Sequence, residues 1–101
     1  MRERAGMGTF EYGHERKRID DADLALLQDL VAVMLRRGTP FLLSFQHEHD
    51  GRDSLWVHPE APMRFQFDGE APSGTDPLHL DLMTAYARSD EGVTIRVSQW
   101  A

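Results

Sequence analysis

Between Phe45 and His58 the chain reads FQHEHDGRDSLWVH, with three histidines, two aspartates and a glutamate in fourteen residues. Imidazoles and carboxylates at that density are the ligand set of a divalent metal and the working groups of acid–base catalysis. His47 and His49 are two apart, so on an extended strand they share one face and could touch one metal ion. A third ligand is not evident. Asp50-Gly51 between two apolar runs is a strong hairpin signal, which makes Asp50 and Asp53 turn residues with backbone groups of their own to satisfy. His58 lies several residues up the partner strand. Zinc needs three or four converging ligands, so the segment reads as a solvated hairpin tip, and neither metal nor cofactor is expected. In a two-residue turn His49 faces Arg52, His47 faces Ser54 and Phe45 faces Trp56. A longer loop shifts the pairing by a residue and sets Leu55 and Val57 opposite Phe45.

Other reactive groups lack companions. The sequence contains no GxSxG, HExxH, GxxxxGK[ST] or GxGxxG pattern. Ser73 is a loop serine with no base at hand, and an unassisted hydroxyl is a poor nucleophile. His79 falls within the apolar arc of a helix, where a half-buried histidine held by one hydrogen bond is the ordinary reading; Tyr86 beside it reads as packing. No catalytic residue is assigned. Arg16, Lys17 and Arg18, with Arg36 and Arg37, are the candidate nucleic-acid contacts, since phosphate is bound by such groups. Charged residues on a short strand also protect a sheet edge, and arginines in a last helical turn complement its dipole. Trp56 is a candidate interface anchor, although packing is the commoner fate of a strand tryptophan.

The elements that must position these groups are well marked. GTFEYG followed by HERKRI predicts a first hairpin around Gly13. Asp20 or Asp21 caps a helix running from Asp21 to Arg37, with Asp23 in its first turn and Gly38 and Pro40 ending it. Its apolar arc is centred on Leu27, Leu30, Val31 and Met34 and widened by Leu24, Leu26, Val33 and Leu35 to roughly 200°. Three strands follow in PFLLSFQ, SLWVH and MRFQFD, the last alternating Met63, Phe65 and Phe67 with polar residues. Thr75 or Asp76 caps a second helix with Pro77 in its first turn and Leu78, Leu82, Met83 and Tyr86 as its apolar face. VTIRV closes the chain with Val93, Ile95 and Val97 on one side. The order is ββαβββαβ, an α+β fold expected to form one mainly antiparallel sheet with two helices on one face.

The 101 residues allow a single domain, read as residues 7–101 after a short extension over 1–6. There is no cysteine, so no disulfide framework or thiolate metal site. Seventeen acidic against eleven basic residues give a net charge of −6, which works against nonspecific attraction to nucleic acid or membranes. No apolar run has the length of a membrane span, and MRERAGMG lacks the apolar core of a signal peptide. A soluble cytoplasmic protein is the expectation.

MGTFEYG from Met7, LRRGTPFLLSF from Leu35 and SLWVHPEAPMRFQF from Ser54 together resemble a family of small actinobacterial proteins of unknown function. Many members begin near an MGxxxYG motif and carry the label "ATP-dependent DNA ligase". The resemblance runs from about Met7 to Asp68, and Phe45 stands where relatives often have tryptophan. It implies no catalytic residues. Ligases form a lysine adenylate in a KxDG motif, and Lys17, the only lysine, is followed by RID. This chain is therefore no ligase by itself. The expected function is a non-catalytic binding or interaction module, its partner a second copy or another protein. The wide arc of the first helix asks for cover, which makes Leu26 and Val33, with Trp56, the candidate interface of a homodimer. A DNA-associated accessory protein is the second reading and a metal-dependent enzyme the third.

Overall fold

The computed structural model describes residues 6–47, 51–58, 60–72 and 75–97. Its elements are β1 (Met7–Tyr12), β2 (Glu15–Asp20), α1 (Asp21–Arg37), β3 (Phe41–His47), β4 (Arg52–Val57), β5 (Met63–Phe67), α2 (Pro77–Ala87) and β6 (Val93–Val97). This is the α+β fold in the expected order ββαβββαβ.

Local chemistry sets the boundaries. β1 and β2 pair antiparallel with Tyr12 opposite Glu15, leaving Gly13-His14 as a two-residue turn in which Gly13 has φ +61°. β2 runs without a loop into α1, whose cap Asp20 accepts a hydrogen bond from the Ala22 N–H at 2.7 Å. Asp21 and Asp23 sit in the first turn and Arg36 and Arg37 in the last, both matched in sign to the helix dipole. Gly38 at φ +64° donates its N–H to the Leu35 carbonyl and ends the helix. Asp76 caps α2 through the Leu78 N–H, and Pro77 supplies a first-turn residue with no N–H to satisfy.

The strands divide between two three-stranded sheets, where the sequence led us to expect one. β2-β1-β5 is antiparallel throughout; in β4-β3-β6 the pair β3–β4 is antiparallel and β3–β6 parallel. The divergence begins after β4. The connection HPEAP carries two prolines, which cannot donate to a ladder, and β5 pairs with β1 instead of extending β4. That crossover is tied to the first hairpin: the His58 N–H donates to the Tyr12 hydroxyl at 3.0 Å, and the Gly13 N–H reaches the Pro62 carbonyl. β2 and β6 then lie side by side without forming a ladder between them.

The apolar faces of the two sheets turn toward a common core. Phe10 on β1 stands 6.2 Å, ring centre to ring centre, from Phe45 on β3, and 5.3 Å from Phe65 on β5. Leu24, Leu27, Leu30, Val31 and Met34 of α1 join Phe41, Leu43, Val57, Val93, Ile95 and Val97 in that core. α1 lies on the β2-β1-β5 sheet, while α2 packs against α1, β3 and β6. Close approach is built into the backbone. A side chain at Gly8 would strike Leu24, and one at Gly92, at φ +74°, would strike the Leu42 carbonyl at 2.4 Å.

The β3–β4 register differs from both expected alternatives. Phe45 pairs with Asp53, Leu43 with Leu55 and Phe41 with Val57. Opposed residues share a face, so this register buries Val57 with Phe41 and Phe45 and leaves Trp56 outside; the two-residue turn would have carried Trp56 inward. The His47 N–H bonds the Gly51 carbonyl at 3.1 Å, which closes a loop longer than two residues. His49 and Asp50 lie outside the described residues, as does Ser73.

Candidate functional site

Lys17 points inward. The Gly13-His14 turn sets Phe10 opposite Lys17, on the face that meets the core, and the lysine side chain is only 14 % exposed. Its ammonium lies 5.5 Å from the centre of the Phe45 ring and donates to the Asp53 carboxylate on β4. His47 Nε2 is 3.3 Å from the same Asp53 oxygen. Lys17, His47, Phe45 and Asp53 thus close the gap between the two sheets. Hydrogen bonding from Lys17, and next from His47, holds the Asp53 carboxyl below the usual carboxylate range. Asp53 remains 48 % exposed, so one end of the link is wet and the other nearly dry. Two residues of the histidine-rich segment do meet here, His47 and Asp53, and the ammonium of Lys17 shares with His47 the same Asp53 oxygen. Among the described residues no three His, Asp or Glu side chains converge as a metal site. His58 is exposed, and its backbone rather than its ring is engaged.

The basic residues of β2 are each held by a carboxylate. Arg16 Nε is 3.3 Å from Glu11 on β1. Arg18 makes a two-pronged contact with Asp68, at 3.1 and 2.7 Å, while also donating to the buried Thr9 hydroxyl at 3.0 Å. That contact pulls the Asp68 carboxyl below its ordinary range. Edge protection and cross-strand pairing account for Arg16 and Arg18, and the ion pair to Asp53 accounts for Lys17. Arg36 and Arg37 are exposed in the last turn of α1.

The proposed interface residues are dispersed. Leu26 is buried within the chain's own fold and Val33 is half-buried; α2 lies against α1 and supplies cover that the sheet does not, so Leu26 is unavailable to a partner. Thr75 donates to Asp29 and pins the start of α2 to α1. Trp56 projects from the outer face of β4 and is 61 % exposed.

α2 carries the feature that the sequence reading missed. Leu80 and Met83 pack on the core and Ala87 is buried, which makes i, i+3, i+7 the inward face. Leu78, Leu82 and Tyr86, expected inside, are 77, 53 and 43 % exposed. At spacings of four they form a continuous apolar stripe on the opposite face. The helix is apolar on two sides, and the side that ends in the buried Ala87 is turned toward α1, β3 and β6. His79, expected within the arc, is exposed, where it moderates the rise that burial and Asp20 impose on the Asp23 carboxyl. Hollows flank Tyr86. One of about 440 Å³ is lined by Arg52, Met83, Tyr86, Glu91 and the start of β6, and another of about 400 Å³ by Leu82, Ala85, Tyr86, Ser89 and Glu91.

A small α+β domain with a packed core and one helix showing an apolar face is the class that fold and surface define. The chain belongs to the family described as "Domain of unknown function (DUF7882)", which it matches over residues 7–98. No curated protein and no solved structure matches it. Among the described residues no helix is long and apolar enough to cross a membrane.

Proposed function

We propose that this chain is a non-catalytic interaction module that docks a partner protein on the exposed face of α2. The observation that carries this reading is the Leu78–Leu82–Tyr86 stripe, which leaves three large apolar side chains in water on a helix whose other side is fully used. A contiguous apolar patch rimmed by polar groups is a usual mark of a protein interface. The hollows on either side of Tyr86 supply places for a partner's side chains. A DNA-associated role ranks second, because three of its five candidate basic residues are engaged by carboxylates of the same chain.

Site-specific photocrosslinking tests the proposal. A benzophenone amino acid at position 82, expressed in the native cell, is expected to capture one or a few discrete proteins. The same group at Gln66, an exposed position on β5, is the control. Equal crosslinking from both positions, or none from position 82, overturns the docking reading.

A further inference from the structure

The charge around the stripe specifies its occupant, an inference that rests on the docking reading above. We infer that the partner presents a basic amphipathic segment, with apolar side chains for the stripe and lysines or arginines for its rim. From Glu70 to Glu91 the chain has five carboxylates, Glu70, Asp76, Asp81, Asp90 and Glu91, against one arginine, Arg88. That net charge of four negatives is most of the chain's −6. Asp76 is engaged in capping α2, but Asp81, Asp90 and Glu91 are exposed and enter no ion pair among the described residues. Arg52 lines one of the hollows with Glu91, and Arg88 caps the helix end, so two cations stand among the carboxylates without cancelling them.

A second copy of this chain fits the surface poorly. The three residues expose roughly 350 Å², the size of the largest apolar patch on an ordinary monomer, which is often a functional one. Each copy would bring its own carboxylate rim against the other, and like charges across an interface are penalised. A cationic helix reverses that sign. Its apolar residues at spacings of three and four meet Leu78, Leu82 and Tyr86, and its basic flanks meet Asp81, Asp90 and Glu91.

The test uses three fluorescein-labelled eighteen-residue peptides with leucines at helical spacing and lysine, glutamine or glutamate elsewhere, titrated with the full chain and followed by anisotropy. The lysine peptide is expected to bind at least tenfold tighter than the glutamine peptide at low salt, with the gap closing at high salt. Asp81→Asn with Glu91→Gln should remove most of the gap, and Leu82→Ser should lose lysine-peptide binding with an unchanged circular dichroism spectrum. Equal affinity for the lysine and glutamine peptides overturns the basic partner and leaves the docking surface standing. Undiminished binding by Leu82→Ser overturns it as well, since the peptide would then be held by charge alone. No binding of the lysine peptide overturns it too, and the crosslink from position 82 decides separately whether the stripe docks anything.

Discussion

Replacing Asp53 with asparagine should cost more than removing the lysine it holds. The side chain of Lys17 is largely buried, its ammonium beside the Phe45 ring, with Asp53 as its anionic partner. Hydrogen bonds to charged groups contribute about 1.5 to 3 kcal/mol, and the half-exposed carboxylate end calls for a discount toward the value of surface pairs. Asp53→Asn should therefore destabilise by about 1 to 2 kcal/mol, because the ammonium stays where water reaches it poorly. Lys17→Met keeps an unbranched apolar side chain at that position and leaves Asp53 with His47 and the water that reaches it. Its expected cost is below about 1 kcal/mol, because the anion left behind is half exposed and pairs that water reaches contribute about 0 to 1 kcal/mol. Urea titrations followed by far-ultraviolet circular dichroism measure both variants and the double mutant. A Lys17→Met cost equal to or above that of Asp53→Asn would refute the argument that the dry end controls the link. The pH dependence has a definite sign. The folded carboxyl is held below its unfolded value, so its contribution is present above about pH 4, the ordinary carboxylate value, and is lost as pH falls through the folded pKa. Asp53→Asn should flatten that acid limb, leaving the share due to Asp68.

The remaining expectations concern other parts of the fold. Burial raises Asp23 in the folded state, so its contribution is present at low pH and lost as pH rises through the folded pKa; Asp23→Asn should raise the urea midpoint at pH 7 and leave it nearly unchanged near pH 3. Gly92→Ala should cost at least about 2 kcal/mol, from positive φ together with the clash at the Leu42 carbonyl, whereas Gly51→Ala, at φ +69° in open space, should cost about 1 kcal/mol in the same titration. Phe45→Ala should cost about 3 to 5 kcal/mol, as for a fully buried aromatic. Leu82→Ser should change stability by less than about 0.5 kcal/mol; a loss of 2 kcal/mol or more would place Leu82 in the core.

Elements with local punctuation were legible before their packing. Asp20, Gly38 and Pro40 bracket α1 with cap chemistry that needs no tertiary partner, and the helix runs over the residues expected. The Gly13 turn was legible for the same reason, and it also fixes which side of β2 faces the core. Once Tyr12 faces Glu15, period two sets Lys17 beside Phe10 on the core side, so the inward lysine could have been read from the register. What could not be read was its anion. Asp53 is thirty-six residues away, on a strand whose register depends on a loop longer than the sequence signal implied. A single sheet was expected, whereas β5 pairs with β1 after a connection whose two prolines have no N–H to donate to a ladder.

The helix α2 shows why surface function is harder to read than fold. Leu78, Leu82 and Tyr86 and the set Leu80, Met83 and Ala87 are both apolar at helical spacing, so periodicity alone selects neither. Leu78, Leu82, Met83 and Tyr86 were expected on the apolar face, and of these only Met83 packs on the core. Packing obeyed a different constraint. The helix must pass close to α1, β3 and β6, with Thr75 bound to Asp29 at its start and Gly92 pressed on Leu42 beyond its end. A buried alanine suits that confined space, and the bulkier residues are turned to solvent. An amphipathic pattern identifies a face only when its opposite side is polar, and α2 does not meet that condition. The sequence mark worth reading there is the second apolar stripe itself, since a helix with two apolar faces and an acidic rim has one face more than its own fold can cover.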